Sequence, residues 1–362
     1  MHDIDRRQFV RGAGLAGLAG LAGCTGGGGG DTETATPTPA APATIGMVYA
    51  TGGLDDGSFN DQAQQGLQQA KEEFGVASDR SQPSEVSDFK NFQQQFAQST
   101  DPNYDLICCI GFLQTDALKQ TSKSFPDQQF MIVDSVVDQG NVASYVFKEH
   151  EGSYLAGVLA GMVTQMEFAA GGGETNTDSA NVGFVGGVES SLIKKFEAGY
   201  LAGVASVDSG IETQSTYTGS FSDPQAGKEA ALSMYNNGAD VVYHAAGNTG
   251  TGVFQAAQSE GRFAIGVDRQ QSITRSSYAD VILGSMVKRV DTAVFNAIES
   301  VVNDSFQGGS TVTLGLANDG VQLAYGDQLG GELPDDVKSE ITAAREGIVG
   351  GDISVPRDPA KV

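Results

Sequence analysis

The sequence predicts an α/β protein of two similar lobes, each a parallel sheet flanked by helices. Three observations predict it. Short apolar runs such as 45–50 (IGMVYA), 104–111 and 263–268 have strand length and no polar alternation, as strands covered on both faces do. Segments with three- and four-residue apolar spacing alternate with these runs, and regular strand–helix alternation signals parallel sheets. The series breaks in a loop-like stretch at 171–179 (GGGETNTDS) and then restarts, so the 362-residue chain has room for two lobes with cores.

Taken in order, the chain opens with an address. Arg6 and Arg7 precede a short Ala/Leu/Gly run that ends in Leu21-Ala22-Gly23-Cys24. A charged start, a short apolar run and a small-residue site make a secretory signal over 1–24, and the arginine pair points to twin-arginine export. The apolar run is too short for a permanent membrane span. Cys24 reads as the lipid-attachment residue of a lipoprotein. Residues 25–43, rich in Gly, Thr and Pro, read as a flexible tether. A globular body anchored by lipid on the extracytoplasmic face of the membrane follows.

The body begins with a strand at 45–50, a glycine turn (TGGLDDG) and a helix from Ser58 that carries Ala63, Gly66, Leu67, Ala70 and Phe74 on one face. Ser58 is the expected N-cap, with Asp61 three residues on as a weak capping-box partner. Phe59 and Asn60 then stand beyond the carboxyl end of the strand, where open α/β sheets bind ligands. From spacing alone Phe59 reads equally as core packing or as a ligand contact.

A helix at 88–98 places Phe89, Phe92 and Phe96 on one face, and 104–111 is the second strand. A helix over 113–124 stops near Pro126. A third strand covers 129–137, with Asp134 toward its far end, and a fourth covers 141–147. The helix from Glu149 is studded with Gly and Ala, which allows close backbone approach. After the break come strands at 181–188, 213–221, 240–246, 263–268 and 281–287, with helices at 191–207, from Pro224 to 237, and after Gly252. Pro224 suits a first helical position. Aromatic, acidic and basic residues recur at strand ends: Phe59, Asn60, Asp134, Phe221, Asp268 and Lys288. Two phenylalanines could sandwich a flat base, an aspartate could accept both hydroxyls of a ribose, and a neighbouring lysine would hold that acid as the anion.

Composition excludes several functions. Twenty-one Lys and Arg stand against 45 Asp and Glu, a net charge of −24, which argues against nucleic acid or an anionic membrane as partner and suits a halophilic source. Cys108 and Cys109 are expected as small core residues; no disulfide framework, metal-ligand spacing or cofactor motif is present. Residues 247–252 (GNTGTG) follow a strand but lack the lysine of a phosphate loop. His150 and His244 accompany no nucleophile elbow, and His244 reads as a satisfied core residue. Catalysis is not supported.

The stretch GLDDGSFNDQAQQGLQQAKEEFG resembles the basic-membrane-protein family of solute-binding lipoproteins, as do FKEHEGSYLAGVLAGM, VGFVGGVESSLIKKFEAGYLAGV, AIGVDRQQS and SMVKRVDTAVFNAI. That resemblance spans about 45–321. It implies the periplasmic-binding-protein type I fold, with lobe 1 over 44–148 plus part of 269–310 and lobe 2 over 149–268 plus part of 311–362. It also implies a purine nucleoside bound between the lobes, delivered to an ABC permease and ATPase. Carried over, Phe59 and Phe221 resemble the stacking pair, Asn60 a base-reading amide, Asp268 and Lys288 the ribose-binding acid and lysine, Gly247 a lining residue and Asp134 a further contact on the base. One departure stands out: Ala50 occupies the place of an acid that nucleoside binders of the family often carry. Binding of a sugar or other small polar solute, and a ligand-sensing surface lipoprotein, are the alternatives; an extracellular hydrolase ranks last.

Overall fold

The computed structural model describes residues 41–176 and 180–362. The export signal, Cys24 and the tether up to residue 40 lie outside the described residues. The first half runs β1 (Thr44–Val48), α1 (Phe59–Phe74), β2 (Ala77–Ser81), α2 (Phe89–Gln98), β3 (Leu106–Cys109), α3 (Thr115–Ser124), β4 (Gln129–Val133) and β5 (Val142–Phe147). Then α4 (Glu149–Thr164) leads to a short hairpin, β6 (Ala169–Ala170) and β7 (Gly173–Glu174). The second half runs β8 (Asn181–Gly186), α5 (Ser191–Val207), β9 (Glu212–Tyr217), α6 (Pro224–Asn236), β10 (Val241–Ala245), α7 (Gly250–Glu260), β11 (Phe263–Asp268), α8 (Gln271–Thr274) and β12 (Ile282–Lys288). It closes with α9 (Val290–Val302), β13 (Thr311–Leu314), β14 (Val321–Tyr325) and α10 (Asp335–Gly350).

Two six-stranded sheets result, ordered β13-β5-β4-β3-β1-β2 and β14-β12-β11-β10-β8-β9. The pairings are parallel except that β14 runs antiparallel to β12. The two orders superpose strand for strand, so β1 corresponds to β8, β3 to β10 and β4 to β11. Apolar runs form the inner strands because both of their faces are covered. Cys108 packs with Met47 and Met131 on one face of the first sheet, and Cys109 with Val48 and Phe130 on the other; both thiols are free and buried. The polar strand β2 (ASDRS) escapes the apolar pattern because it is an edge strand, paired with β1 alone and mostly exposed.

The chain passes between sheets three times, after Phe147, after Lys288 and after Leu314. After the second passage α9 packs on α1; after the third, β14 rejoins the second sheet. Polar contacts tie these passages together. Glu151 binds Lys148 Nζ at 2.9 Å and accepts the Leu316 N–H at 3.0 Å, and the Arg289 N–H donates to Gly320 O at 2.9 Å. The glycines of α4 and α5 interlock the two helices: a Cβ at Gly157 would lie 2.1 Å from Tyr200 O, and one at Gly203 would lie 2.1 Å from Tyr154 O. Among the described residues no helix is long and apolar enough to cross a membrane.

Candidate functional site

The start of α1 departs from the expected cap. Ser58 holds the N-cap position but makes no cap bond. The buried carboxylate of Asp56 does so instead, accepting the N–H groups of Ser58 (2.8 Å), Asn60 (2.9 Å) and Asp61 (3.2 Å). Asp61 turns back to accept the N–H groups of Asp55 and Gly57, both at 2.8 Å, rather than closing a capping box. A carboxylate has more acceptor sites than a hydroxyl and suits the positive end of a helix. Ser58 Oγ is thereby released, and it donates to Asp268 Oδ2 at 2.5 Å across the lobes.

The residues that sequence reasoning selected share one cavity. Phe59, Asn60 and Asp134 from the first sheet's side, with Phe221, Gly247, Asp268 and Lys288 from the second, line a pocket enclosing about 660 Å³ of space, part of it open to solvent. Asp134 directly follows β4 and Asp268 is the last residue of the corresponding β11, and both adopt left-handed backbone, with φ 69° and 64°. Aspartate tolerates this region better than most residues, and such strain gathers at ligand sites.

Lys288, 1 % exposed, is the centre of the polar end. Its Nζ lies 2.6 Å from Asp134 Oδ2 and 3.5 Å from Glu149 Oε1, with the rings of Phe147, Phe59 and Phe196 at 5.0, 5.1 and 5.5 Å. Burial alone would lower its pKa, but Asp134, Glu149 and Asp268 together outweigh burial and raise it. It therefore stays an ammonium. Its direct partner is Asp134 rather than Asp268, whose own direct partner is Ser58. Burial pushes the Asp268 carboxyl up to about 6, against the pull of Lys288 and the Ser58 hydrogen bond. Asp134 Oδ1 is buried without a hydrogen-bond partner among the described residues, an acceptor left over inside the cavity.

Asn60 is engaged elsewhere. Its Oδ1 accepts the Ala50 N–H at 2.9 Å and its Nδ2 donates to Gly53 O at 2.9 Å, so the amide braces the glycine turn. Phe221 is held through its backbone: Gly247, at φ 56°, approaches it closely, and the Thr249 N–H donates to Phe221 O at 3.2 Å. The glycine-rich segment 247–252 thus serves as a support for that ring. His244 is buried; its Nε2 lies 2.9 Å from Gln271 Oε1, which also accepts the Val267 N–H, so Nε2 is the donor. Burial lowers its pKa to about 4, and its Nδ1 has no partner among the described residues.

Sequence reasoning missed further lining residues and partners, Phe112, Ser58 and Glu149 among them. Phe112 lines the cavity and meets the Phe221 ring edge-on, 6.4 Å between centroids at 85°. Its place just beyond β3 obeys the same strand-end rule that singled out Phe59. Ser58 was assigned to capping alone. Glu149 carried no signal beyond its place at a helix start.

The Bmp family model, described as ABC transporter substrate-binding protein PnrA-like, matches residues 43–358. The chain belongs to the Bmp family. Its relatives there include a CD4+ T-cell-stimulating antigen of Listeria monocytogenes, 38 % identical over 87 % of this chain and 88 % of that one. The ABC transporter nucleoside-binding protein BmpA of Lactococcus lactis is 35 % identical over 86 % and 88 %. An uncharacterised lipoprotein of Pyrococcus abyssi is 35 % identical over 85 % and 74 %. Among solved structures, an ABC transporter solute-binding protein of Aeropyrum pernix K1 superposes with a TM-score of 0.75 at 29 % identity, covering 88 % of this chain and 94 % of that one. As a Bmp-family protein with the periplasmic-binding-protein type I fold, the chain is a solute-binding protein of an ABC transporter. Such proteins bind small molecules and work with a permease and an ATPase; the family is one of substrate-binding proteins rather than enzymes.

Proposed function

We propose that this chain captures a nucleoside, a purine nucleoside first of all, for an ABC importer, while lipid on Cys24 anchors it outside the cell membrane. One observation carries the ligand reading: phenylalanines 59, 112 and 221 share a single cavity with the Lys288–Asp134 pair and Asp268. Aromatic walls suit a planar base, with about 1–3 kcal/mol from each stacked ring. The polar end suits a ribose: hydroxyls donate to Asp134 Oδ1 and Asp268 and accept from Lys288. The name of the Lactococcus relative agrees with this reading.

A thermal-shift panel tests it. Nucleosides at 100 times their Kd are expected to stabilise the protein by about 2.7 kcal/mol, and free ribose or amino acids by far less. Equal stabilisation by ribose would remove the base from the reading. The sugar alternative has one observation in its favour: Ala50 offers no polar side chain and Asn60 is engaged by the turn, so the spare acceptor is at the polar end. The anchored receptor reading rests on Arg6, Arg7 and Cys24 and on the lipoprotein relative. Cys24→Ser is expected to release the exported protein from membranes; retention would refute the anchor. The charge of −24 supports work in concentrated salt. Genes for a permease and ATPase beside this one would separate an importer from a sensor.

A further inference from the structure

The segment from Asp268 to Arg275 lies between β11 and β12 in the second lobe, yet it makes a set of polar contacts with the first. It is fastened to its own lobe. The Gln271 N–H donates to Ser285 Oγ at 3.0 Å, Gln270 Nε2 donates to Tyr325 O at 3.1 Å, and Ser272 Oγ accepts the Asp327 N–H at 2.9 Å. From that base it grips the turn between β1 and α1. Thr274 Oγ1 and Gln271 Nε2 both donate to Gly57 O, at 2.9 and 3.3 Å, and Arg275 donates to Asp55 O at 2.9 Å. On α1 itself, Gln65 Oε1 accepts from Arg269 at 3.1 Å. His244 Nε2 and the Val267 N–H hold Oε1 of Gln271, so the amide's Nε2 faces the first lobe. The turn is shaped for this grip. Asp55 and Gly57 both have left-handed backbone, with φ 67° and 59°, and a Cβ at Gly57 would lie 2.7 Å from Arg275 Nε. Such backbone persists where its surroundings over-determine it. The gripped turn carries Asp56 and runs into Phe59, both of which line the cavity, whereas Gln271, Thr274 and Arg275 do not.

We propose that Gln271, Thr274 and Arg275 are positioning residues, a clamp that seats the 55–58 turn of the first lobe on the second. The clamp fixes the spacing between Phe59 and Asp268, the walls that the two lobes present to a ligand. Its donors are side chains of the second lobe and its acceptors are backbone carbonyls of the first, so every bond in it spans the lobes. Lobes joined by passages of chain can shift about them. Each bond made outside the passages narrows the range of spacings and reduces the ordering that binding has to supply. The clamp therefore raises affinity by the same factor for every ligand that touches both lobes, and it leaves selectivity to the cavity lining. The clamp itself presupposes no particular ligand; only the probes in its test rest on the nucleoside reading.

The test compares wild type with the double variant Thr274→Val, Arg275→Ala. Both are full chains carrying Cys24→Ser, with nitroxide labels on Lys90→Cys in α2 of the first lobe and Glu229→Cys in α6 of the second, two exposed positions. Cys108 and Cys109 are buried and do not compete for label. Without ligand, pulsed-EPR distances in the double variant are expected to broaden. Adenosine and 2′-deoxyadenosine are each expected to bind about tenfold more weakly in calorimetry, with the ratio of their affinities kept. Wild-type affinities overturn the proposal, whether or not Tm falls or the distances broaden. A changed ratio would mean that the cavity lining itself was disturbed and also overturns it. Weaker binding with wild-type distances would confine the effect to the turn and overturn the interlobe role. If adenosine fails to bind wild type, the nucleoside reading falls, and the ligand-free distances alone decide the clamp. Should the double variant not fold, Thr274→Val alone decides: it keeps the side chain's shape and removes one donor. It is expected to weaken both nucleosides about threefold, and unchanged affinity overturns the proposal.

Discussion

At the scale of single residues, Phe221 makes the plainest test of the cavity. Its ring is half-buried and touches Phe112 edge-on, and its backbone is fixed from the 247–249 turn. Phe221→Ala removes a wall and leaves that support in place. Nucleoside affinity is expected to fall by about 1–3 kcal/mol in calorimetry, with the fold retained; unchanged affinity would take the ring out of the site. Asp268 carries a pH signature. Its carboxyl is held up to about 6 by burial, against an ordinary 3.8, so the folded chain binds this proton more tightly than the unfolded chain. The stabilisation is complete below about pH 4 and is lost as pH rises through about 6, of order 3 kcal/mol. Urea unfolding of ligand-free protein from pH 4 to 7 is expected to show wild type losing ground to Asp268→Asn over that window. A constant difference between the two would mean the carboxyl titrates normally. Strand-end positions were legible in the sequence because they follow from where apolar runs stop. Partners were not: nothing local says that Lys288 pairs with Asp134, 154 residues earlier, or that Ser58 reaches Asp268.

At the scale of elements, the α4–α5 seam shows what glycine-rich helices do in this chain. The glycines of α4 suggested close approach, and the backbone of α5 does lie against Gly157, while Gly199 and Gly203 on α5 face the backbone of α4. Gly157→Ala drives a methyl group into Tyr200 O, a backbone atom that cannot swing away. The expected loss is about 1–3 kcal/mol, read as a lower urea midpoint. Ligand affinity of the folded fraction is expected to stay at the wild-type value, because neither Gly157 nor Tyr200 lines the cavity. A stability within a few tenths of a kcal/mol of wild type would mean that the helices have room to part. Inner strands and amphipathic helices were legible for the same reason that the seam was, since burial writes itself into composition. The edge strand β2 was not, and neither were β13, β14 and α10: these flank the sheets or return after passages between them, and such order is set by long-range pairing.

At the scale of the whole molecule, the net charge of −24 sets the conditions under which the fold is stable. Acids repel one another over the surface of a compact body more strongly than along an extended chain, so the unbalanced charge opposes folding. Salt shortens the range of that repulsion to about 3 Å at 1 M, while the buried Lys288–Asp134 pair, with side chains 2 % and 3 % exposed, is screened far less. Raising salt therefore removes the surface penalty and leaves the site's own attractions nearly intact. Tm is expected to climb steadily as KCl rises from 0.1 M through the molar range, and the affinity for nucleoside to change by much less. The comparison of KCl with an equal concentration of an uncharged osmolyte isolates the screening contribution from general exclusion effects. A Tm that is flat or falls with KCl would mean that the acids are already balanced locally, and the concentrated-salt habitat inferred from composition would fall with it.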